Sequence, residues 1–393
     1  MTYIPNELYE VYFHKHDGSL HLVLTKWNRL EFSQRVNNPW NHIIELVLSK
    51  DDPLGSILRA LKRDYIVYIY RTDSLTGERT RVYEGLHGTV YEQLRTDGNI
   101  YFGLYGSGFT KFLERREVFP DVRLENSQKD GPAESVIKEY VYESAVNPTT
   151  FTINFGAGAT TKTFTILGNT RRLSGLVIAP DLGAGETVDY SARFTKLDSV
   201  LSTLAEQGGV YYGIYESPSF GNFIFDCKAV WGIDRRVDNT EGNTPYIFSV
   251  ELGNMVLPIL SSNARYESNF MIVGGSGQGL KRQLYVVSDY ESIVESPWGL
   301  SEFFVEARKT DSAEGLSTIG KKALKDRGRQ HTLEFEISQD RFMHRWPEAW
   351  GLGDLVTAYY MGERFDKRIN EVHVSVSSSG TATEQISVEL EDV

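Results

Sequence analysis

Residues 350–360 read WGLGDLVTAYY: a tryptophan, a Gly-Leu-Gly-Asp turn, and six residues rich in β-branched and aromatic side chains. Gly351 and Gly353 let the backbone reverse, and Leu355 to Tyr360 suits a pleated, half-buried surface, Leu355 and Val356 offering apolar packing. The stretch predicts a core strand entered through a turn, and none of its residues has catalytic character. Composition extends this reading to the whole chain. Tyr 22, Phe 20 and Gly 35 among 393 residues, with 12% aromatic side chains, favour strands joined by glycine turns.

Upstream, LYEVYFHKHDGSLHLVL sets Asp17-Gly18 between two alternating runs, a hairpin signal because glycine accepts positive φ. A second hairpin runs from Tyr65 to Val90 with its polar tip at Asp73 to Glu78, and Asp97-Gly98-Asn99 turns a third. Between the first two, DPLGSILRALKRD places Ile57, Leu58 and Leu61 on one side of a short helix. After Pro120 the polar, turn-rich DVRLENSQKDGPAE marks a boundary. SVIKEYVYESAV, with Val136, Ile137, Tyr140 and Val141, predicts one amphipathic helix. KLDSVLSTLAEQGG, with Leu197, Val200, Leu201 and Leu204, predicts another, ended by Gly208-Gly209. A Thr-rich hairpin around Gly156 and Gly158 lies between them, and VYYGIYE pairs with NFIFDCKAVWG across Ser217 to Gly221. From about Asn263 strands return, among them SEFFVEARK and HTLEFEIS, with one helix at LSTIGKKALKDRG and late turns at Met361 to Glu363 and Ser377 to Gly380. Strand-rich ends thus flank a helix-containing middle, an arrangement that points to barrels or sandwiches, and the length calls for two or three domains.

Fifty-three acidic residues against 41 basic ones give a net charge of −12. Such a surface lacks the cationic field behind steady nucleic-acid binding, although it suits a channel through which DNA slides without sticking; solubility alone is the ordinary explanation. The basic stretches RALKRD, FLERRE, IDRRVD and KKALKDRGR all have acid beside them and read as solvated faces or intersubunit ion pairs. Cys227 is the only cysteine, so no internal disulfide forms, and its strand context predicts a buried, inert thiol. No signal peptide precedes the first strand and no eighteen apolar residues run together. A chain made in a reducing cytoplasm, without stable membrane insertion, is expected.

Candidate chemistry is sparse. VGGSGQGLKR follows the strand NFMIV, but Leu280 stands where a phosphate loop needs lysine, Arg282 replaces the magnesium-binding hydroxyl, and QLYVVSD continues as strand rather than helix. Ser276 lacks the final glycine of a nucleophile elbow, Gln278 holding that place. Of the histidines (His14, His16, His21, His42, His87, His331, His344, His373) none has metal-motif spacing, though His14 and His16 share a strand face and cluster with His21. Glu384 with Glu389, and Glu334 with Glu336, fit alternating solvated faces. The sequence therefore assigns no catalytic, cofactor-binding or metal-ligating residue and no cofactor.

Several stretches nevertheless fall in a recognisable order: LTKWNRLEFSQRVNNPWNHIIELVL, VYEGLHGTVYEQL, GSGFTKFLERREVFP, KLDSVLSTLAEQGGVYYGIYE, WGIDRR, IFSVELGNM, SNFMIVGGSGQGLKR and WGLGDLVTAYY. In that order the chain resembles the tail-hub, or tail-tip baseplate hub, proteins of long-tailed bacteriophages (siphophages), which are akin to the hubs of contractile tails. The resemblance implies a homotrimer in which two β-barrel-like tube domains per chain make a pseudo-hexameric ring continuing the tail tube. Carried onto this sequence, it gives a mainly β fold with an α+β middle. Residues 1–120 form a first barrel-like tube domain, 121–260 a helix-containing inserted region of two small subdomains, and 261–393 a second tube domain. It also implies a place at the distal end of the tail in the virion, around the exit for DNA and the tape-measure protein. The implied partners are a distal tail ring protein, the tape-measure protein, receptor-binding or fibre proteins, and DNA in transient passage. Because the sequence stops after QISVELEDV, an appended cell-wall hydrolase or receptor-binding extension is not expected. The competing readings are a carbohydrate-binding tail adhesin, favoured by abundant Tyr and Trp, and a tail-associated cell-wall hydrolase.

Overall fold

The computed structural model describes residues 8–73, 76–120, 126–155, 162–338, 346–377 and 383–393. The first third folds as β1 (Tyr9–His14), β2 (Leu20–Leu24), β3 (Arg29–Arg35), β4 (Asn41–Leu48), α1 (Pro53–Arg59), β5 (Ile66–Thr72), β6 (Arg79–Leu94) and β7 (Ile100–Ser107). All three expected hairpins form: β1 with β2, β5 with β6, and β6 with β7, each antiparallel. Asp52 caps α1 by accepting from the Leu54 amide, and Pro53 occupies the first turn. The helix stops at Arg59, so the expected apolar stripe shrinks to Leu58; Leu61 is buried beyond the helix and Ile57 stays exposed.

The middle contains β8 (Glu117–Val118), β9 (Ser127–Pro132), α2 (Ala133–Val141), β10 (Phe151–Phe155), β11 (Lys162–Ile166), α3 (Gly168–Arg171), β12 (Leu176–Ile178), β13 (Thr187–Ala192), β14 (Thr195–Lys196), α4 (Leu197–Gly208), β15 (Tyr211–Glu216) and β16 (Phe223–Lys228). Both amphipathic helices bury the predicted stripes, and Gly209 closes α4 in the left-handed conformation at φ 65°. β10 and β11 make the Thr-rich hairpin, whose Gly156 and Gly158 lie outside the described residues. The core of this region includes Ile66, Tyr68 and Leu86 of β5 and β6, so the middle packs directly onto the first sheet.

The last third supplies β17 (Ile247–Ser249), β18 (Met255–Asn263), β19 (Phe270–Gly274), β20 (Leu284–Ser288), α5 (Tyr290–Glu295), β21 (Glu302–Glu306), α6 (Ala313–Arg327), β22 (Gln330–Ile337), β23 (Leu355–Tyr360), β24 (Glu363–Ser377) and β25 (Thr383–Asp392). Residues 267–327 thus include a separate two-layer unit, the three-stranded sheet β20-β19-β21 with α6 on one face. Asp189 of β13 anchors it, its Oδ2 accepting from the amides of Asp311 and Ser312 at 2.7 Å each.

Eleven strands share one sheet, in the order β17-β23-β24-β3-β4-β7-β6-β5-β1-β2 with β25 also on β24. Among the described residues no barrel closes within the chain; the two strand-rich ends expected as barrel-like domains share one sheet. The reason lies in β24. One edge pairs with β23 through Glu363–Arg368 and then with β3 through Glu371–Ser377, while the other edge carries β25. A strand long enough to serve both ends of the chain fuses them. Where β25 approaches β1 and β5, side chains make the link. Tyr9 Oη donates to Glu384 Oε1 at 2.5 Å and Arg71 Nε donates to the same oxygen at 2.9 Å. Glu384 is therefore not on a solvated face as expected, its side chain being 7% exposed; Glu334 and Glu336 are exposed. A single core joins Phe13, Phe32 and Phe102 to Trp346, Trp350, Val356 and Ile369. In β23 four successive residues, Leu355 to Ala358, are buried, as in a strand covered on both faces.

Candidate assembly surface

The glycine-rich segment after β19 is closed on itself. Gly275 N donates to Gln283 O and Ser276 N to Thr310 O, so these two loop amides are already used. Arg282 fills the loop, donating to the carbonyls of Gly274 and Gly275 at 2.9 and 3.2 Å. The three clustered histidines are likewise occupied singly: His14 Nδ1 lies 3.1 Å from Gly18 O, His16 Nε2 3.1 Å from Arg63 O, and His21 Nε2 3.2 Å from Ile57 O. No group of three or more His, Cys, Asp or Glu suited to a metal ion occurs among the described residues. Cys227 is 1% exposed, and burial pushes its thiol well above the usual range, which makes it a poor nucleophile.

Sequence reading missed the buried ionic junctions, whose members are far apart in the chain. Glu84 Oε1 on β6 accepts from the Glu216 amide of β15 at 3.2 Å; Arg81 stands 3.0 Å from Glu84 Oε2 and 3.3 Å from Glu216 Oε2, and Tyr68 Oη donates to Glu216. Burial raises Glu84 to about 7, Arg81 opposing it. The cluster clamps the middle region onto the sheet. A second clamp explains the Gly-Leu-Gly-Asp turn: Asp354 accepts from the Ile233 amide at 2.7 Å, from Arg235 Nε at 2.9 Å and from the Gly351 amide at 3.0 Å. Gly353 at φ 82° has no space for a side chain, since a Cβ there would stand 2.7 Å from Gly232 N. The paired arginines are accordingly not solvated faces. Arg115 holds Asp64, Arg116 donates to Arg171 O, and Arg236 holds Asp234.

In the first sheet His42 and His87 are buried, His42 Nδ1 lying 3.1 Å from Tyr83 Oη. Burial, with the neighbouring His87, lowers His42 to about 3, and burial lowers His87 to about 4. Both are neutral at neutral pH, and a Cβ on Gly106 would stand 2.1 Å from the His42 ring, so this is packing rather than a reaction centre. A cleft of about 510 Å³ between α4, α6 and β25 is lined by Glu206, Lys321, Lys322, Lys325, Asp326 and Glu391. Lys322 is paired within it, lying 2.6 Å from Asp326 and 3.6 Å from Glu206.

What the molecule offers its surroundings is apolar surface, unevenly placed. Of the exposed large apolar side chains among the described residues, half fall between Val250 and Phe304. Leu257 is 66%, Ile259 60%, Tyr290 75% and Trp298 90% exposed, a concentration typical of interaction surfaces.

A comparison with curated proteins finds no match. The fold is shared with solved structures at low identity. The prophage MuSo2 43 kDa tail protein from Shewanella oneidensis superposes with a TM-score of 0.54 at 14% identity, covering 98% of each chain. A tail protein from Neisseria meningitidis MC58 gives 0.55 at 14% identity, covering 97% of this chain and 96% of that one. The Francisella PdpA-VgrG complex gives 0.51 at 8% identity, over 98% of this chain and 52% of that one. Among family models, the one describing the Siphovirus ReqiPepy6 Gp37-like protein matches residues 10–388. With nearly the whole chain matched, the polypeptide belongs to the Siphovirus ReqiPepy6 Gp37-like family.

Proposed function

We propose that this chain is the tail-tip hub of its phage: a homotrimer whose pseudo-hexameric ring closes the distal end of the tail tube and forms part of the DNA exit path. In this reading residues 1–120 and 261–393 supply the tube, and residues 121–260, apart from β17, stand outside it. The observation that carries the reading is the fusion of both chain ends through β3 and β24 around one core. Each copy then presents two strand-rich segments in a fixed relation, so three copies offer six places in a ring. The partners are a distal tail ring protein above, the tape-measure protein within the tube, and receptor-binding or fibre proteins docked outside. DNA meets the lumen only in passage, and the −12 charge repels its phosphates. The role is architectural. The experiment is negative-stain microscopy of virions with an antibody against this chain: label at the distal tail end is expected, and label on the capsid or along the tail shaft refutes the proposal.

A further inference from the structure

Arg116 and Arg171 are neighbours with no carboxylate between them. Arg171 ends α3 and is 8% exposed, and Arg116 is half-buried where the 3-10 turn Phe109–Arg115 leads into β8. Backbone carbonyls hold both guanidiniums in place. Arg116 Nε donates to Arg171 O at 2.6 Å and its Nη1 to Arg115 O at 3.0 Å, while Arg171 Nη2 donates to Glu117 O at 2.8 Å. Arg171 also lies over the Phe119 ring at 4.1 Å, and Phe119 meets Phe194 edge-on at 5.6 Å. Phe194 is held there at φ 47°, a left-handed conformation that is costly for an aromatic residue. The carboxylates nearby are taken by other cations: Asp64 lies 2.6 Å from Arg115, Glu117 lies 2.9 Å from Lys196, and Glu114 pairs with Lys111. Burial, then the neighbouring Arg115, lowers Arg116; burial, then Arg116, lowers Arg171. Among the described residues no carboxylate opposes either shift.

In a chain of net charge −12, two guanidiniums left to repel each other call for an explanation. An uncompensated buried charge is destabilising, and an oxyanion held between the two removes that cost. Each fork has donors to spare. Arg116 Nη2 and Arg171 Nε and Nη1 have no partner among the described residues, and none of them is sealed from solvent. A phosphate dianion matches the two guanidinium charges and offers several acceptor oxygens, whereas a single carboxylate matches one fork. Beside the pair, Phe194 is 50% exposed and carries Arg193 5.0 Å over its ring, so the margin is apolar and cationic. We infer that Arg116 and Arg171 together bind a phosphate group, either the free ion or the terminal ester of a larger molecule. Phe119 and Phe194 position Arg171, and the exposed side of Phe194 meets the carbon skeleton of an ester. The site does not depend on the trimer proposed above.

The test is isothermal titration calorimetry of the full chain at constant ionic strength with inorganic phosphate, glycerol 3-phosphate and hexaglutamate as probes. Both phosphates should bind the natural sequence. Arg116→Gln and Arg171→Gln should each weaken that binding about tenfold, the loss of one charged fork, while Arg95→Gln, at the exposed tip of the β6–β7 hairpin, leaves it unchanged. Circular dichroism checks the fold of each variant. If Arg171→Gln unfolds, Arg171→Lys, which keeps the charge and loses the fork, should weaken binding in the same direction. Tighter binding of glycerol 3-phosphate assigns the ligand as an ester and equal binding assigns the free ion; both support the site. No binding of either phosphate up to about 10 mM, or binding that neither substitution weakens, overturns it. Hexaglutamate binding more tightly than both phosphates through the same arginines assigns the pair to an acidic protein segment and overturns it as well.

Discussion

Three buried groups in and beside the first sheet set opposing responses to acid. His42 and His87 have folded-state values of about 3 and about 4 against an ordinary 6.5. The unfolded chain therefore takes up their protons first, and their contribution to stability is lost as pH falls below 6.5. Glu84 lies the other way, about 7 when folded against 4.5, so the folded chain takes its proton first and stability rises as pH falls from 7 toward 4.5. Between those limits two histidines work against one glutamate. Glu84→Gln removes the opposing contribution, and urea unfolding between pH 6 and 5 should then steepen by about 1.4 kcal/mol per pH unit; an unchanged slope contradicts the assignment. Individual residues were legible in the sequence where neighbours along the chain decide their surroundings. Cys227 sits in an apolar run and is buried, whereas Glu384 was misread because its partners, Tyr9 and Arg71, come from the opposite end of the chain.

Elements show the same division. The hairpins at Asp17-Gly18 and Asp97-Gly98 and the stripe of α4 are local signals, and each folds as its spacing predicts. WGLGDLVTAYY announces a strand, and β23 is one, but its alternation does not say which strand lies beside it. The pairing of β24 with β3 joins residues more than 300 positions apart, and nothing in either stretch distinguishes that neighbour from β25. At this scale the strand depends on the Asp354 clamp. Asp354→Ala strands Arg235 and two amides, and should cost about 3 kcal/mol of stability in denaturant titration; a loss under 1 kcal/mol would show that the turn holds without it.

For the whole molecule, the fold is strand-dominated, and its first and last thirds share one sheet and one core. Among the described residues no helix is long and apolar enough to cross a membrane. The exposed apolar surface gathers in the last third, the acid is in surplus, and the buried charges are spent on holding the chain together. The most direct check is the mass of the purified chain by light scattering, alone and with the distal ring protein proposed as its partner. The account predicts a species of three times 44.5 kDa, or its formation on meeting the ring; a single copy that persists at high concentration and ignores the ring contradicts it.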